Sequence, residues 1–275
     1  MATLRLPEPY AFELSTARYR AFGTDFANLW HEGGLYRVIE GREVRIGPAQ
    51  GGVDVNPFDA EIEPVVRRLL GAEFDLDSFY GFAQGEPVLA RLAAELRGLR
   101  PPIAVEPFES HVTSITAQQV SLYAAFAIRN RLIERYGVRA EHAYAFPTRE
   151  RLAVAEPDEL AALGFSRRKA EYVVGLARSD LDLIALALLP DDEVKAQLTA
   201  LPGIGEWTAD WFLARHLGRP EAWPAGDLAV RKAVSRFYVE GRDLTTEEVR
   251  AIGERFAPFQ NLTAHYLLAG LLRDA

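Results

Sequence analysis

Between residues 10 and 56 apolar and polar positions alternate in short runs, and Gly33-Gly34, Gly47-Pro48 and Gly51-Gly52 break the runs. Val38-Ile-Glu-Gly-Arg-Glu-Val-Arg-Ile46 reads as two short β-runs around Glu40-Gly-Arg42, the pattern of strands joined by a tight turn. The period then changes. Ile62, Val65, Val66, Leu69 and Leu70 fall at helical spacing and predict a helix over 59–70, and a second helix is expected over 87–97. Beyond Arg100-Pro-Pro102 the pattern is almost wholly helical. Ile115, Val120, Leu122, Tyr123, Phe126, Ile128 and Ile133 form one long apolar run ended by Gly137. Pro147-Thr148 and Pro157-Asp158 mark turns before short helices, and segment 181–189 is apolar enough to be buried. After Asp227, the pairs Ala229/Val230, Ala233/Val234 and Phe237/Tyr238 recur every four residues, as on a helix with one buried face. These periods describe an α+β fold: an N-terminal antiparallel sheet with helices on one face, followed by a mostly helical part.

Composition agrees without discriminating. A chain of 275 residues, 49% hydrophobic and 25% charged, can bury a large core and form two or three domains. It has no cysteine, which excludes disulfides and thiolate metal ligands. The N-terminus lacks a basic-then-apolar signal pattern, and no stretch approaches the length of a membrane span, so a soluble cytoplasmic protein is expected. His31, His111, His142, His216 and His265 show no metal-ligand spacing and read as surface or satisfied core residues.

The most specific feature is Leu201-Pro-Gly-Ile-Gly-Glu-Trp-Thr-Ala-Asp210. Pro202 stops an upstream helix, while Gly203 and Gly205 allow positive φ and a close approach of backbone to ligand. A helix starting at Glu206 would then leave the glycine and first-turn amides, Thr208 N–H among them, free to hold an anion such as a phosphate. The alternative is an ordinary glycine loop between helices. Asp227 is a natural N-cap for the helix that follows, and the same helix terminus stabilises its carboxylate as the anion. Trp207 and Trp211, four residues apart, are either core aromatics or faces for a stacked ring.

This string resembles the hairpin of the helix-hairpin-helix DNA glycosylase superfamily, and the context of Trp207 and Asp227 is similar to the 3-methyladenine DNA glycosylase II group. The resemblance extends over about residues 108–270. It takes in Ser114-Ile-Thr-Ala-Gln-Gln-Val-Ser121, Phe146-Pro-Thr148, Pro157-Asp-Glu-Leu160 and Leu163-Gly-Phe-Ser-Arg-Arg-Lys-Ala170. It implies a mixed N-terminal domain (1–106, with part of 85–106 packing on the C-terminal helices), a helical domain carrying the hairpin (107–219) and a C-terminal helical subdomain (220–275). It also implies a monomer acting on double-stranded DNA that contains damaged bases, associated with the nucleoid in a prokaryote.

In that family the residue matching Asp227, 20 positions after Trp207, is the catalytic carboxylate. As a base departs, C1′ acquires oxocarbenium character, and a nearby anion lowers that barrier or orients the attacking water. An alkylated, cationic base needs no general acid. The lyase branch carries its nucleophilic lysine where Trp207 stands, so a monofunctional hydrolase is expected. By the same resemblance Trp207, Trp211, Gln118 and Leu268 line the base pocket. Gly203, Ile204, Gly205 and Thr208 would bind DNA, with Gln119 as the inserted wedge. Two polar residues at a helix junction is the plain alternative for Gln118-Gln119. The carbonyls of Thr199, Leu201 and Ile204 match positions that can hold Na+ or K+. No other cofactor is required, and the missing cysteines exclude the iron–sulfur cluster of some relatives.

Three departures stand out: Leu268 where some members stack a tryptophan, and Gln260-Asn261 where Arg-Ser or Arg-Gly is common. The net charge of −8 is also unusual for a DNA binder. Its excess acid lies mainly in residues 1–107, with 16 acidic against 11 basic side chains. Arg167-Arg-Lys169 and Arg231-Lys232 with Arg236 are candidates for a basic strip. The expected function is release of damaged, alkylated purines from DNA. An oxidised-purine glycosylase and a non-catalytic protein that binds distorted DNA are the alternatives.

Overall fold

Glu40 and Gly41 both take positive φ, 48° and 69°, which closes a two-residue turn between strands. In the computed structural model, which describes residues 2–273, β1 (Ala2–Arg5), β2 (Leu29–His31), β3 (Gly34–Ile39), β4 (Arg42–Ala49) and β5 (Gly52–Asn56) form one antiparallel sheet ordered β1-β5-β4-β3-β2. Leu35, Val44, Ile46, Val53 and Val55 turn to one face and are fully buried. The helix Ile62–Leu69 covers that face with Ile62, Val66 and Leu69.

A helix at Leu76–Ala83 is an addition to the expected pattern, and Pro87–Glu95 follows it. Their apolar residues, including Phe79, Leu89 and Leu92, join the core of the C-terminal helices rather than the sheet's. Leu92 lies so close to Gly270 on the last helix, Gln260–Arg273, that a Cβ there would sit 2.6 Å from its methyl carbon.

The apolar run over 115–133 is divided between two helices that meet at Gln118-Gln119, the junction that the polar pair allowed. Pro107–Ala117 ends at Gln118, Gln119 turns through φ 54°, and Leu122–Tyr136 begins with Ser121 as its N-cap. Val120, Leu122 and Tyr123 are therefore exposed at a turn instead of buried on a helix face. Segment 181–189 is only partly buried: it forms a single 3-10 turn, Ala185–Leu188, which packs Leu183 and Leu186 and leaves Ile184 and Leu188 in solvent.

Sheet and helices are joined by buried charge. Glu109 accepts from Arg37 of β3 at 2.6 Å and from Arg129 at 2.5 Å, while Arg129 also pairs with Asp25. Burial alone would raise the Glu109 carboxyl, but the two guanidiniums outweigh it and hold it below its ordinary range. Removing one member of such a cluster leaves an uncompensated charge, a loss of about 3–5 kcal/mol. No helix among the described residues is long and apolar enough to cross a membrane.

Among the histidines, His111 departs most from a satisfied core residue. It is 1% exposed, neither ring nitrogen has a partner, and it stacks on Phe212 at 4.3 Å. Burial pushes it down to about 3 from 6.5. The unfolded chain therefore binds a proton that the fold refuses. Stability should fall as pH drops below 6.5, by up to about 1.4 kcal/mol per pH unit for this group. We expect His111→Phe, which keeps the stacking, to lower that slope by close to one proton between pH 6.5 and 4.5 in urea titrations; an unchanged slope would show that His111 is not the source.

Candidate active site

Gly203 is required where it stands. Its φ is +83°, and a Cβ would lie 2.1 Å from the Tyr172 ring. The turn delivers Gly205 as the N-cap of Glu206–Phe212, and among the described residues the amides of Gly205, Glu206 and Trp207 have no acceptor. Thr208 corrects the expectation for that turn. Its N–H bonds to Gly205 carbonyl oxygen at 3.0 Å and the residue is 1% exposed, so it is not a free donor. Ile204 is also buried, so only its backbone can face a ligand. Gln118 donates Nε2 to the Gly203 carbonyl at 2.9 Å and lies 3.3 Å from Thr208 Oγ1. It braces the hairpin from the neighbouring helix and has spent its amide N–H groups there.

A groove of about 620 Å³ opens beside this turn, lined in part by Gln119, Arg168, Tyr172, Thr199, Leu201 and Ile204. Of the basic strip, Arg167 is paired with Asp158 and Glu171, and Lys169 bonds the Thr116 carbonyl at 2.9 Å. Arg168, Lys232 and Arg236 make no ion pair among the described residues and remain available for phosphate.

Asp227 caps Leu228–Tyr238 as the sequence predicts, accepting Ala229 N–H at 2.8 Å and Val230 N–H at 3.1 Å on Oδ1. Its other oxygen receives the indole N–H groups of Trp207 at 2.8 Å and Trp211 at 3.0 Å. The two tryptophans, one helical turn apart, thus reach one carboxylate oxygen from the hairpin helix, and all four acceptor positions of Asp227 are filled. Asp227 is half-buried between exposed Gly226 and Leu228. Trp211 is 3% exposed, and Arg215 lies over its ring with Cζ 3.4 Å from the centroid. Trp211 therefore contributes its N–H to the site, while its ring face is covered. Trp207 is the less buried of the pair.

The last helix closes the site. Leu268 is partly buried against the helical core, one turn beyond His265. His265 sits 5.9 Å from the Trp211 ring with its Nε2 sealed and unpartnered, and burial, then Arg215 and Arg18, push it well below its ordinary value. It is thus neither a surface nor a satisfied residue. Asn261 is structural: it is fully buried and donates to the carbonyls of Ala214 and Arg219 at the end of the hairpin helix. Arg215 could have been noticed four residues after Trp211. Arg18 and His265 carry no local signal, because only tertiary contacts bring them here. Tertiary contact also assembles Glu43, Glu141 and His142, whose ligand atoms lie within 4.8 Å of one another. There His142 Nδ1 already bonds Glu43 at 2.8 Å.

Trp211→Phe keeps one aromatic ring but removes the pyrrole ring with its N–H to the carboxylate. The expected loss in urea denaturation is at least about 1.5 kcal/mol, the lower end for a hydrogen bond to a charged group, with lost packing adding to it. A loss under about 0.5 kcal/mol would mean that this N–H does not hold Asp227.

The geometry has parallels in known proteins. Residues 112–258 match the family described as HhH-GPD superfamily base excision DNA repair protein. DNA-3-methyladenine glycosylase 2 of Escherichia coli is 31% identical over 238 residues, covering 80% of this chain and 81% of that protein. The structure of a 3-methyladenine DNA-glycosylase from Archaeoglobus fulgidus superposes with a TM-score of 0.88 at 30% identity, covering 98% of this chain and 97% of that one. An 8-oxoguanine glycosylase/lyase from Clostridium acetobutylicum, in complex with double-stranded DNA, shares the fold at a TM-score of 0.82 and 18% identity, covering 96% of this chain and 92% of that one. With a hairpin, a capped carboxylate and a family match over more than half its length, this chain belongs to the HhH-GPD superfamily of base excision DNA repair proteins.

Proposed function

We propose that the protein is a monofunctional DNA glycosylase that extrudes a damaged, alkylated purine from duplex DNA and hydrolyses its N-glycosidic bond. The observation that carries this reading is the Asp227 carboxylate, anchored by two backbone and two indole N–H groups beside a hairpin with free amides. The names of the relatives, DNA-3-methyladenine glycosylases from several organisms, support the same substrate class.

The hairpin amides, Arg168 and the exposed Lys232 and Arg236 hold the phosphates, so binding relies on oriented donors rather than on net positive charge. Gln119, turned outward by its positive φ, fills the gap left by the extruded nucleotide, and exposed Val120, Leu122 and Tyr123 supply apolar contact on the same turn. With each oxygen of Asp227 accepting two N–H bonds, its role is electrostatic. It offsets positive charge developing at C1′ while water adds to the sugar and the electron pair of the breaking bond leaves with the base. A cationic alkylpurine departs neutral and needs no proton. A monovalent cation at the carbonyls of Thr199, Leu201 and Ile204 would fix the hairpin turn, and all three residues line the same groove.

Asp227→Asn preserves a side chain that caps helices well but removes the charge. We expect single-turnover release of 7-methylguanine from duplex DNA to fall at least about 100-fold, with binding to abasic-site DNA retained. Equal release by both proteins would reject Asp227 as the catalyst. Trp207 offers no amine for a Schiff base, so borohydride should trap no covalent DNA adduct; trapping would instead indicate a lyase.

A further inference from the structure

Three carboxylates gather at the seam between the sheet and the helical part, and among the described residues none of them pairs with arginine or lysine. Glu32 follows β2, Glu43 lies on β4, and Glu141 sits with His142 on the turn joining β6 (Val138–Arg139) to β7 (Tyr144–Ala145). Their partners are histidines instead: His142 lies 2.8 Å from Glu43, and His31 lies 3.8 Å from Glu32. The His142 imidazole feels all three acids, Glu43 most. Asp25, Asp59 and Glu109, by contrast, are each held by arginine.

The turn is pinned in place. Glu43 Oε2 accepts the backbone N–H groups of His142 at 2.8 Å and Ala143 at 2.7 Å, and Ala140 N–H closes the turn on the Ala143 carbonyl at 2.9 Å. Oε1 of the same carboxylate faces His142 Nδ1 at 2.8 Å. An ionised carboxylate can only accept, so Nδ1 carries the hydrogen and the lone pair of the neutral ring stands on Nε2. A carboxylate that grips one nitrogen of a histidine in this way is the usual support of a metal-binding imidazole. Further donors are at hand. Ligand atoms of Glu43, Glu141 and His142 lie within 4.8 Å of one another, and the His31 ring is 5.4 Å from that of His142.

We propose that His142, Glu141 and His31 form a binding site for a transition-metal dication of the Zn2+ class, with Glu43 orienting His142. Mixed imidazole and carboxylate donors suit Zn2+, whereas Mg2+ and Ca2+ call for oxygen alone. Tetrahedral Zn2+ with bonds of about 2.0–2.1 Å sets its donors about 3.4 Å apart, so Glu141 and His31, both exposed, turn inward to close on it. Solvent supplies the fourth donor. The ion neutralises the gathered acids and ties the sheet to the turn, in addition to the tie made by Glu109. His31 and His142 lie far apart in the chain, which is why no ligand spacing shows in the sequence. The site takes no part in the glycosidic reaction, and the inference stands apart from the glycosylase reading.

The test is a calorimetric titration of untagged, metal-stripped protein with Zn2+ at about pH 8, where free imidazole has lost its proton. The protein should take up one Zn2+ per chain and bind Mg2+ at least about 100-fold more weakly. Neither the Glu141 nor the His31 side chain makes a hydrogen bond among the described residues, so Glu141→Ala and His31→Ala leave the fold intact; each should weaken Zn2+ at least about ten-fold. His142→Ala should abolish uptake, and the rise in thermal midpoint that Zn2+ gives the parent protein should vanish with it. No uptake by the parent protein, equal affinity for Mg2+, or a Zn2+ affinity unchanged in both Glu141→Ala and His31→Ala overturns the inference.

Discussion

One carboxylate with four N–H donors organises the functional half of this protein. Asp227 ends a loop and starts a helix, and its Oδ1 would cap that helix in any context. Its Oδ2 binds Trp207 and Trp211, which belong to another helix. The hairpin helix and the helix Leu228–Tyr238 are thus registered through the side chain to which we assign the chemistry. The N–H groups keep the carboxylate oriented, so under that proposal a developing cation would meet a negative charge already in place, without reorganisation.

The acidity of the chain ceases to be a paradox once the charges are located. Many basic groups are already engaged: Arg37 and Arg129 hold Glu109 in the interior, Arg167 pairs with Asp158 and Glu171, and Arg149 binds a set of carbonyls. What remains free near the hairpin is small in number and well placed. Backbone amides contribute no net charge but still present oriented positive dipoles, so the site can hold phosphate on a molecule of net charge −8.

The interior repeats the same economy. His111, from Pro107–Ala117, and His216, from the π-turn Leu213–Leu217, are buried and stack on Phe212 at 4.3 and 4.7 Å, fixing the C-terminal end of the hairpin helix. Asn261 ties the last helix to the carbonyls freed near the end of the π-turn. Buried rings and one amide thus hold the helix that carries Trp207 and Trp211.

Much of this was legible in the chain. The strand pairs around Glu40-Gly41, the helix over Ile62–Leu69, the corner at Gly203, and Asp227 as an N-cap all follow from local physics: backbone conformations few residues adopt, and apolar repeats at 2.0 or 3.6 residues. The break at Gln118-Gln119 was signalled only by its polar pair and by the resemblance, because Val120, Leu122 and Tyr123 carry the apolar pattern straight through it. Thr208 escaped the local reading because a helix can take its first bond one residue earlier than the motif suggests. What only the tertiary structure decided is who meets whom across long separations: two indoles on one oxygen of Asp227, Gln118 on Gly203, and His265 beside the Trp211 ring that Arg215 covers. Local sequence sets the shape of each element, whereas these partners lie up to hundreds of residues apart, and packing alone determines which of their donors find acceptors and which are left over.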